Sequence, residues 1–255
     1  MVNTSETVSA QFQSSAAEVE TIFESYRELH EIYTTAFGNL ESKLGKLPVQ
    51  YKNEVLKAKQ LFSSIRGTVS GRQTNISDRL YAQGLVLLVG NAETLTRELF
   101  KTLLIQNIRT LKFQRDILIP LSRLLEAGDD ASLGELVFSV LEEDKNPAEK
   151  LNFQNMKQLQ GVMKNYLGIE VPDDYIKDLH EFWQIRHIVI HNSGVIDQRF
   201  IDNLKSAGIP TLKYRLNVKV NVKKAEYDRC FALLVLLFEA LDQEIERLKL
   251  EYNAV

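Results

Sequence analysis

The residue types best suited to chemistry lie close together near the end of one predicted helix. Arg186 and His187 are followed, after three aliphatic residues, by His191 and Asn192. Histidine exchanges protons near neutral pH, and the guanidinium of arginine binds phosphate oxygens through a planar pair of donors. This combination indicates acid–base chemistry at a phosphate group.

The predicted helix covers residues 173–192 and stops before Gly194. At about 100° per residue, its core stripe consists of Phe182, Ile185, Ile188 and Val189. A second face about 140° wide mixes basic, aromatic and aliphatic side chains, which indicates a partly desolvated surface for a neighbouring chain or a substrate. Its members are Leu179, His180, Trp183, Arg186, His187, Ile190 and His191.

The spacing of His187 and His191 is also one at which two imidazoles bind zinc. The metalloprotease pattern requires Glu directly after the first His, and Ile188 occupies that position. No third ligand is indicated, and the sequence has neither a glycine-rich phosphate loop nor a nucleophile elbow. We therefore predict no metal and no cofactor.

The motif resembles that of HEPN domains, whose ribonuclease members carry Arg, often a polar residue next, and then His near the end of a helix. Four residues separate Arg186 from His191, and Asn192-Ser193-Gly194 follows. The segment 83–99 is similar to the family's first helix. The resemblance covers residues 77–252, about two thirds of the chain.

This resemblance implies a homodimer in which both motifs face one cleft and cleave RNA without a metal. His191 of each chain would transfer protons, Arg186 would stabilise the charged phosphate, and His187 and Asn192 would orient or bind the RNA. The products would carry a 2′,3′-cyclic phosphate. Such enzymes serve as toxins or antiviral effectors, but other HEPN domains only assemble or bind RNA, and this alternative stays open.

Glu93, within the segment that resembles the first helix, is expected to support Arg186 or a histidine of the motif. A surface pair between Glu93 and Arg97, four residues later, is the plainer alternative.

Composition favours an all-α protein, because 255 residues include only 5 Pro and 12 Gly. The net charge of −3 requires that any RNA site be local.

The start of the sequence has neither a signal peptide nor a lipid anchor pattern, so we expect a cytoplasmic protein with no membrane contact. The lone Cys230, within an apolar run, is expected to be a core residue.

The amino-terminal part, residues 1–66, has the heptad-like spacing of a coiled-coil hairpin from Phe12 onward. The hairpin either packs on the rest of the monomer or forms an arm for an antitoxin or a defence-system partner. Small and polar residues at 67–77 indicate a linker, and Ser77 is the expected N-cap of the next helix. Residues 78–255 then form the HEPN-like bundle.

Further helices are predicted over residues 132–143, 148–167 and 225–252. Between residues 211 and 222 apolar and polar residues alternate, which predicts a short strand or hairpin inserted in the bundle. The polar face includes Lys213, Arg215 and Lys219. These cations either protect a sheet edge or contact RNA.

Overall fold

The computed structural model describes residues 7–44, 52–109, 117–143, 151, 153 and 156–253. Within these ranges the chain forms eight α-helices and no β-strand, so the predicted all-α class is confirmed. The helices are α1 (Val8–Leu44), α2 (Lys52–Gln106), α3 (Leu121–Glu126), α4 (Asp130–Glu143), α5 (Met156–Val162), α6 (Asp173–His191), α7 (Gln198–Ser206) and α8 (Lys224–Asn253). A π-helical turn, Met163–Leu167, continues α5. None of the described helices is long and apolar enough to cross a membrane.

Helix α6 lies in the middle of the bundle, where it contacts α2, α5, α7 and α8. Two aspartates, Asp173 and Asp174, occupy its first turn, where negative charge favours the helix dipole. Three members of the predicted core stripe, Phe182, Ile185 and Ile188, are buried, and the fourth, Val189, is half-buried. Burial on nearly every side fixes the axis of α6 and thereby the position of the side chains at its carboxyl end.

The last helix, predicted over residues 225–252, is confirmed as α8, and its apolar side chains belong to the core. Leu234, Leu237, Phe238 and Leu241 of α8 are almost completely buried, and Cys230 is a free, fully buried thiol. Burial raises the pKa of that thiol well above its ordinary value, so Cys230 is a packing residue.

The first half of α1 belongs to this core. Phe12 is fully buried, with its ring centroid 4.9 Å from that of Phe238 and 6.0 Å from that of Phe231. Phe23 packs edge-on against Tyr227, 5.4 Å between centroids. Of the two alternatives for the amino-terminal helix, packing on the monomer therefore holds for residues 8–23. Later side chains of the predicted coiled coil, including Tyr33 and Phe37, lie outside the described residues, and so do residues 45–48, where the sequence predicts a break between the two helices of the hairpin.

The predicted linker at 67–77 is helical, since α2 runs without a break from Lys52 to Gln106, 55 residues or about 80 Å. Ser77 accordingly lies inside a helix and is not an N-cap. Ser, Thr and Asn cost a helix only fractions of a kcal/mol each, and Gly about 1 kcal/mol. Helix-forming sequence on both sides is enough to carry α2 through the polar segment.

The prediction of a short strand or hairpin between residues 211 and 222 is wrong. The segment consists of turns, and its only pairing within the described chain is an isolated bridge between Val195 and Lys219. Asn217 has a positive φ of 62°, which interrupts an extended run. The alternating apolar residues do not share a buried face either: Leu212 is 97% exposed, whereas Val222 is 1% exposed.

Candidate active site

The chemistry-bearing residues lie at the exposed carboxyl end of α6. His187, Ile190 and His191 are exposed, and the side chain of Arg186 is 20% exposed. The second face predicted from the sequence is therefore divided. Its first half, Leu179, His180 and Trp183, is buried inside the monomer, and only its last two turns form a surface.

Arg186 is held by a carboxylate from the neighbouring helix. Its Nη1 donates to Oε1 of Glu93 on α2 at 2.9 Å, and the Glu93 side chain is only 11% exposed. Glu93 thus supports Arg186 as predicted. The alternative prediction, a surface pair between Glu93 and Arg97, is wrong. Arg97 instead donates from its Nε to Oε1 of Glu142 on α4 at 2.7 Å.

Burial of Glu93 outweighs the attraction of its partner. Desolvation raises the pKa of Glu93 from 4.5 to about 7, although the charge of Arg186 and the nearby indole of Trp183 both lower it. The Trp183 Nε1 and the Arg186 Nε are buried and form no hydrogen bond of good geometry within the described chain. Near pH 7 the carboxyl group therefore exchanges between a charged form, paired with Arg186, and a neutral form that leaves the guanidinium uncompensated.

The two histidines form an adjacent pair. Their ring centroids are 4.7 Å apart, with 48° between the ring planes. Partial burial lowers the pKa of His187, and the nearby His191, Arg199 and Arg186 lower it further, against the opposing effect of Asp197. His187 is therefore biased toward the neutral imidazole, which can accept a proton.

A tight turn ends α6 directly after the motif. Asn192 and Gly194 both donate their backbone N–H to the carbonyl of Ile188, at 2.9 and 2.8 Å. Gly194 has φ 77°, which confirms the predicted glycine stop. The side chain of Asn192 donates to the carbonyl of Val195. Asn192 thus fixes the turn after His191 through an interaction inside the chain.

The basic residues of the loop at 211–222 line a pocket of their own. Lys213, Arg215 and Lys219 line a pocket of about 250 Å³ whose lining includes neither Arg186 nor the two histidines. In addition, Lys213 Nζ is 2.8 Å from Oε1 of Glu181. The structure therefore places Arg186 against Glu93 and His187 against His191, while the three loop cations line a neighbouring pocket.

Glu181 is a polar centre that sequence reasoning missed. It is 4% exposed, and its carboxylate accepts a hydrogen bond from the Tyr214 hydroxyl at 2.7 Å. It also pairs with Lys213 and, at 3.5 Å, with Arg229 of α8. One signal was available, because Glu181 precedes Ile185 by four residues and Ile188 by seven on an apolar stripe. A carboxylate in such a position needs buried partners.

The motif offers two imidazoles and one guanidinium at a surface, a set suited to proton transfer beside a phosphate. Among the described residues, no three His, Cys, Asp or Glu side chains come together as a possible metal site.

Comparisons with protein-family models, with curated proteins and with solved structures return no match for this chain.

Proposed function

We propose that the protein is a metal-independent endoribonuclease that acts as a homodimer, with a composite site of Arg186 and His191 from both chains, and that it serves as a toxin or antiviral effector. The proposal rests on the resemblance to HEPN nucleases. The observation that best supports it is the exposed group of Arg186, His187 and His191 at the end of α6, with Arg186 held from behind by Glu93.

The reaction would be an in-line attack of a 2′-hydroxyl on the adjacent phosphorus. One imidazole removes the 2′-hydroxyl proton, and a second protonates the 5′-oxygen as its bond to phosphorus breaks, so that a 2′,3′-cyclic phosphate and a 5′-hydroxyl result. Arg186 donates to the phosphate oxygens, whose negative charge increases in the transition state. In the dimer, His191 of each chain would take the two proton-transfer roles, and the largely neutral His187 would orient the substrate or the neighbouring ring.

The dimer is implied by the resemblance, and the exposed carboxyl end of α6 is where the two chains would meet. Ile190, which is 46% exposed between the two histidines, would lie in that contact. Contact through α6 would bring the two motifs toward one cleft.

One observation favours the alternative, a non-catalytic module that dimerises and binds RNA or protein. Arg186 already has a carboxylate partner inside the chain, so part of its charge is compensated whenever Glu93 is ionised. An arginine held in this way can serve a polar interface without taking part in chemistry.

Cleavage of fluorescent single-stranded RNA in EDTA tests the proposal, with the wild type beside Arg186→Ala and His191→Ala. Arg97→Ala is a matched control, because it also removes an arginine from a carboxylate pair but outside the motif. We expect cleavage by the wild type and the control, and a loss of about 10²- to 10⁴-fold in the motif variants. Sedimentation measures whether each protein is dimeric. Dimers that bind RNA but do not cleave it would contradict the enzyme and favour the alternative module.

A further inference from the structure

A pocket beneath the loop at 211–222 is separate from the motif. Its volume is about 250 Å³, and it lies between this loop, α6 and the start of α8. Three aliphatic residues in its lining are almost fully buried: Ile185, Ile196 and Val222 are 1%, 2% and 1% exposed. The pocket therefore has an apolar floor.

One wall of the pocket is aromatic and held in place. The ring of Tyr214 packs edge-on against Phe200 of α7, 4.9 Å between centroids and 85° between planes. Its hydroxyl donates to the buried carboxylate of Glu181. Contacts at both ends of the side chain fix the ring, so the wall is formed before any ligand binds.

The charges in the lining are mainly positive. Lys213 is compensated by Glu181, but Arg215 and Lys219 form no ion pair with any described residue. The only acidic residue of the lining, Glu226, accepts a hydrogen bond from the backbone N–H of Lys223 at 2.9 Å. Two cations without ion-pair partners thus lie beside an apolar floor, and with Glu226 as the one carboxylate of the lining the balance of charge there is positive.

An anion with a flat apolar body complements this arrangement. The volume lies just below the range of about 300–1,000 Å³ for pockets that enclose a whole drug-sized ligand, so a single small unit fits and a dinucleotide does not. Arginine binds phosphate oxygens in a bidentate manner, and bases pack well on aromatic and apolar surfaces. We infer that the pocket binds one nucleoside phosphate unit, with the base on the apolar floor and the phosphate at Arg215 and Lys219.

The unit can come from a free mononucleotide or from an RNA strand. The site does not depend on RNA cleavage at α6, since no motif residue lines it. It is nevertheless joined to the turn behind His191, because Val220 N–H donates to the carbonyl of Gly194 at 2.8 Å and Ile196 N–H to that of Val218 at 3.0 Å.

Binding to the purified full chain tests this inference, with AMP followed by NMR titration and a labelled adenylate octamer followed by fluorescence anisotropy. Arg215→Ser/Lys219→Ser removes the two free cations from exposed positions. Val218→Trp fills the pocket from a position that is 49% exposed. Lys43→Ser/Lys205→Ser removes two exposed cations elsewhere and serves as the matched control.

We expect AMP or the octamer to bind the wild type and the control alike, and both pocket variants to weaken that binding by about tenfold or more. Binding of AMP identifies a free nucleotide as a sufficient ligand, whereas binding of the octamer alone identifies an RNA strand. Equal binding by the pocket variants, or no binding of either probe to the wild type, would overturn the inference. So would adenosine binding as tightly as AMP, because the phosphate would then have no role.

Discussion

Replacing Glu93 by glutamine should stabilise the protein increasingly as the pH rises. In the native state burial raises the pKa of Glu93 from 4.5 to about 7. Between these values the native protein binds a proton that the unfolded chain has released, so the stability of the wild type falls as pH increases. Glutamine has the shape of the neutral carboxyl group and does not titrate. The variant is therefore free of this loss.

The interval from 4.5 to about 7 corresponds to about 3 kcal/mol of unfolding free energy, at ~1.4 kcal/mol per pH unit. Relative to the fully protonated state, the titration of Glu93 should favour the variant by less than about 1 kcal/mol at pH 5 and by about 3 kcal/mol at pH 8. Urea denaturation at pH 5, 6, 7 and 8 measures the difference directly. The side chain is only 11% exposed, so solvent screening removes little of the effect.

Glu98→Gln is the matched control on the same helix. Glu98 pairs with Arg97 at the surface, and such pairs contribute less than about 1 kcal/mol, so this substitution should change the unfolding free energy by less than about 1 kcal/mol. If the wild type proves more stable than Glu93→Gln at pH 8, the pair with Arg186 outweighs burial and the reasoning is refuted. A difference that stays constant from pH 5 to pH 8 would refute it as well.

Two further pairs of substitutions test the packing. Phe12→Ala should cost about 3–5 kcal/mol of unfolding free energy, since Phe12 is fully buried. Ile22→Ala, at a position that is 61% exposed on the same helix, should change the unfolding free energy little. Equal effects of the two substitutions in denaturation would contradict the placement of α1 in the core. Gly134→Ala should cost about 1–3 kcal/mol, because the added methyl would lie 2.7 Å from the Cα of Ile105. Gly161 is a helical position where the new methyl group would have nothing within 4 Å, so Gly161→Ala should instead stabilise the protein by about 0.5–1 kcal/mol. Thermal unfolding distinguishes the effects of the two glycine substitutions.

Helix α6 was predictable because local signals agree along it. Acidic residues in the first turn, an apolar stripe and the glycine stop at Gly194 each depend on near neighbours in the sequence. The same signals predicted that Arg186, His187 and His191 lie together at one end of the helix. The sequence did not show that Trp183 and His180 would be buried, because burial on that face depends on which helices pack there.

The errors have a common physical origin in partners distant in sequence. Alternation between residues 211 and 222 has the period of a strand, but a strand requires a neighbour along its length. Among the described residues, this segment pairs only with the short stretch 194–196, around the bridge at Val195. Similarly, Glu93 has Arg97 in reach on its own helix, yet it pairs with Arg186, 93 residues away. Local spacing predicts which pairs are possible, and the packing of α2 against α6 decides among them.

Mass spectrometry of RNA fragments produced in EDTA tests the central claim most directly. The wild type should generate fragments with 2′,3′-cyclic phosphate and 5′-hydroxyl ends, whereas His191→Ala, still dimeric by sedimentation, should generate none above background. Fragments with 3′-hydroxyl ends, or the same fragments from His191→Ala as from the wild type, would contradict cleavage by the imidazole of His191.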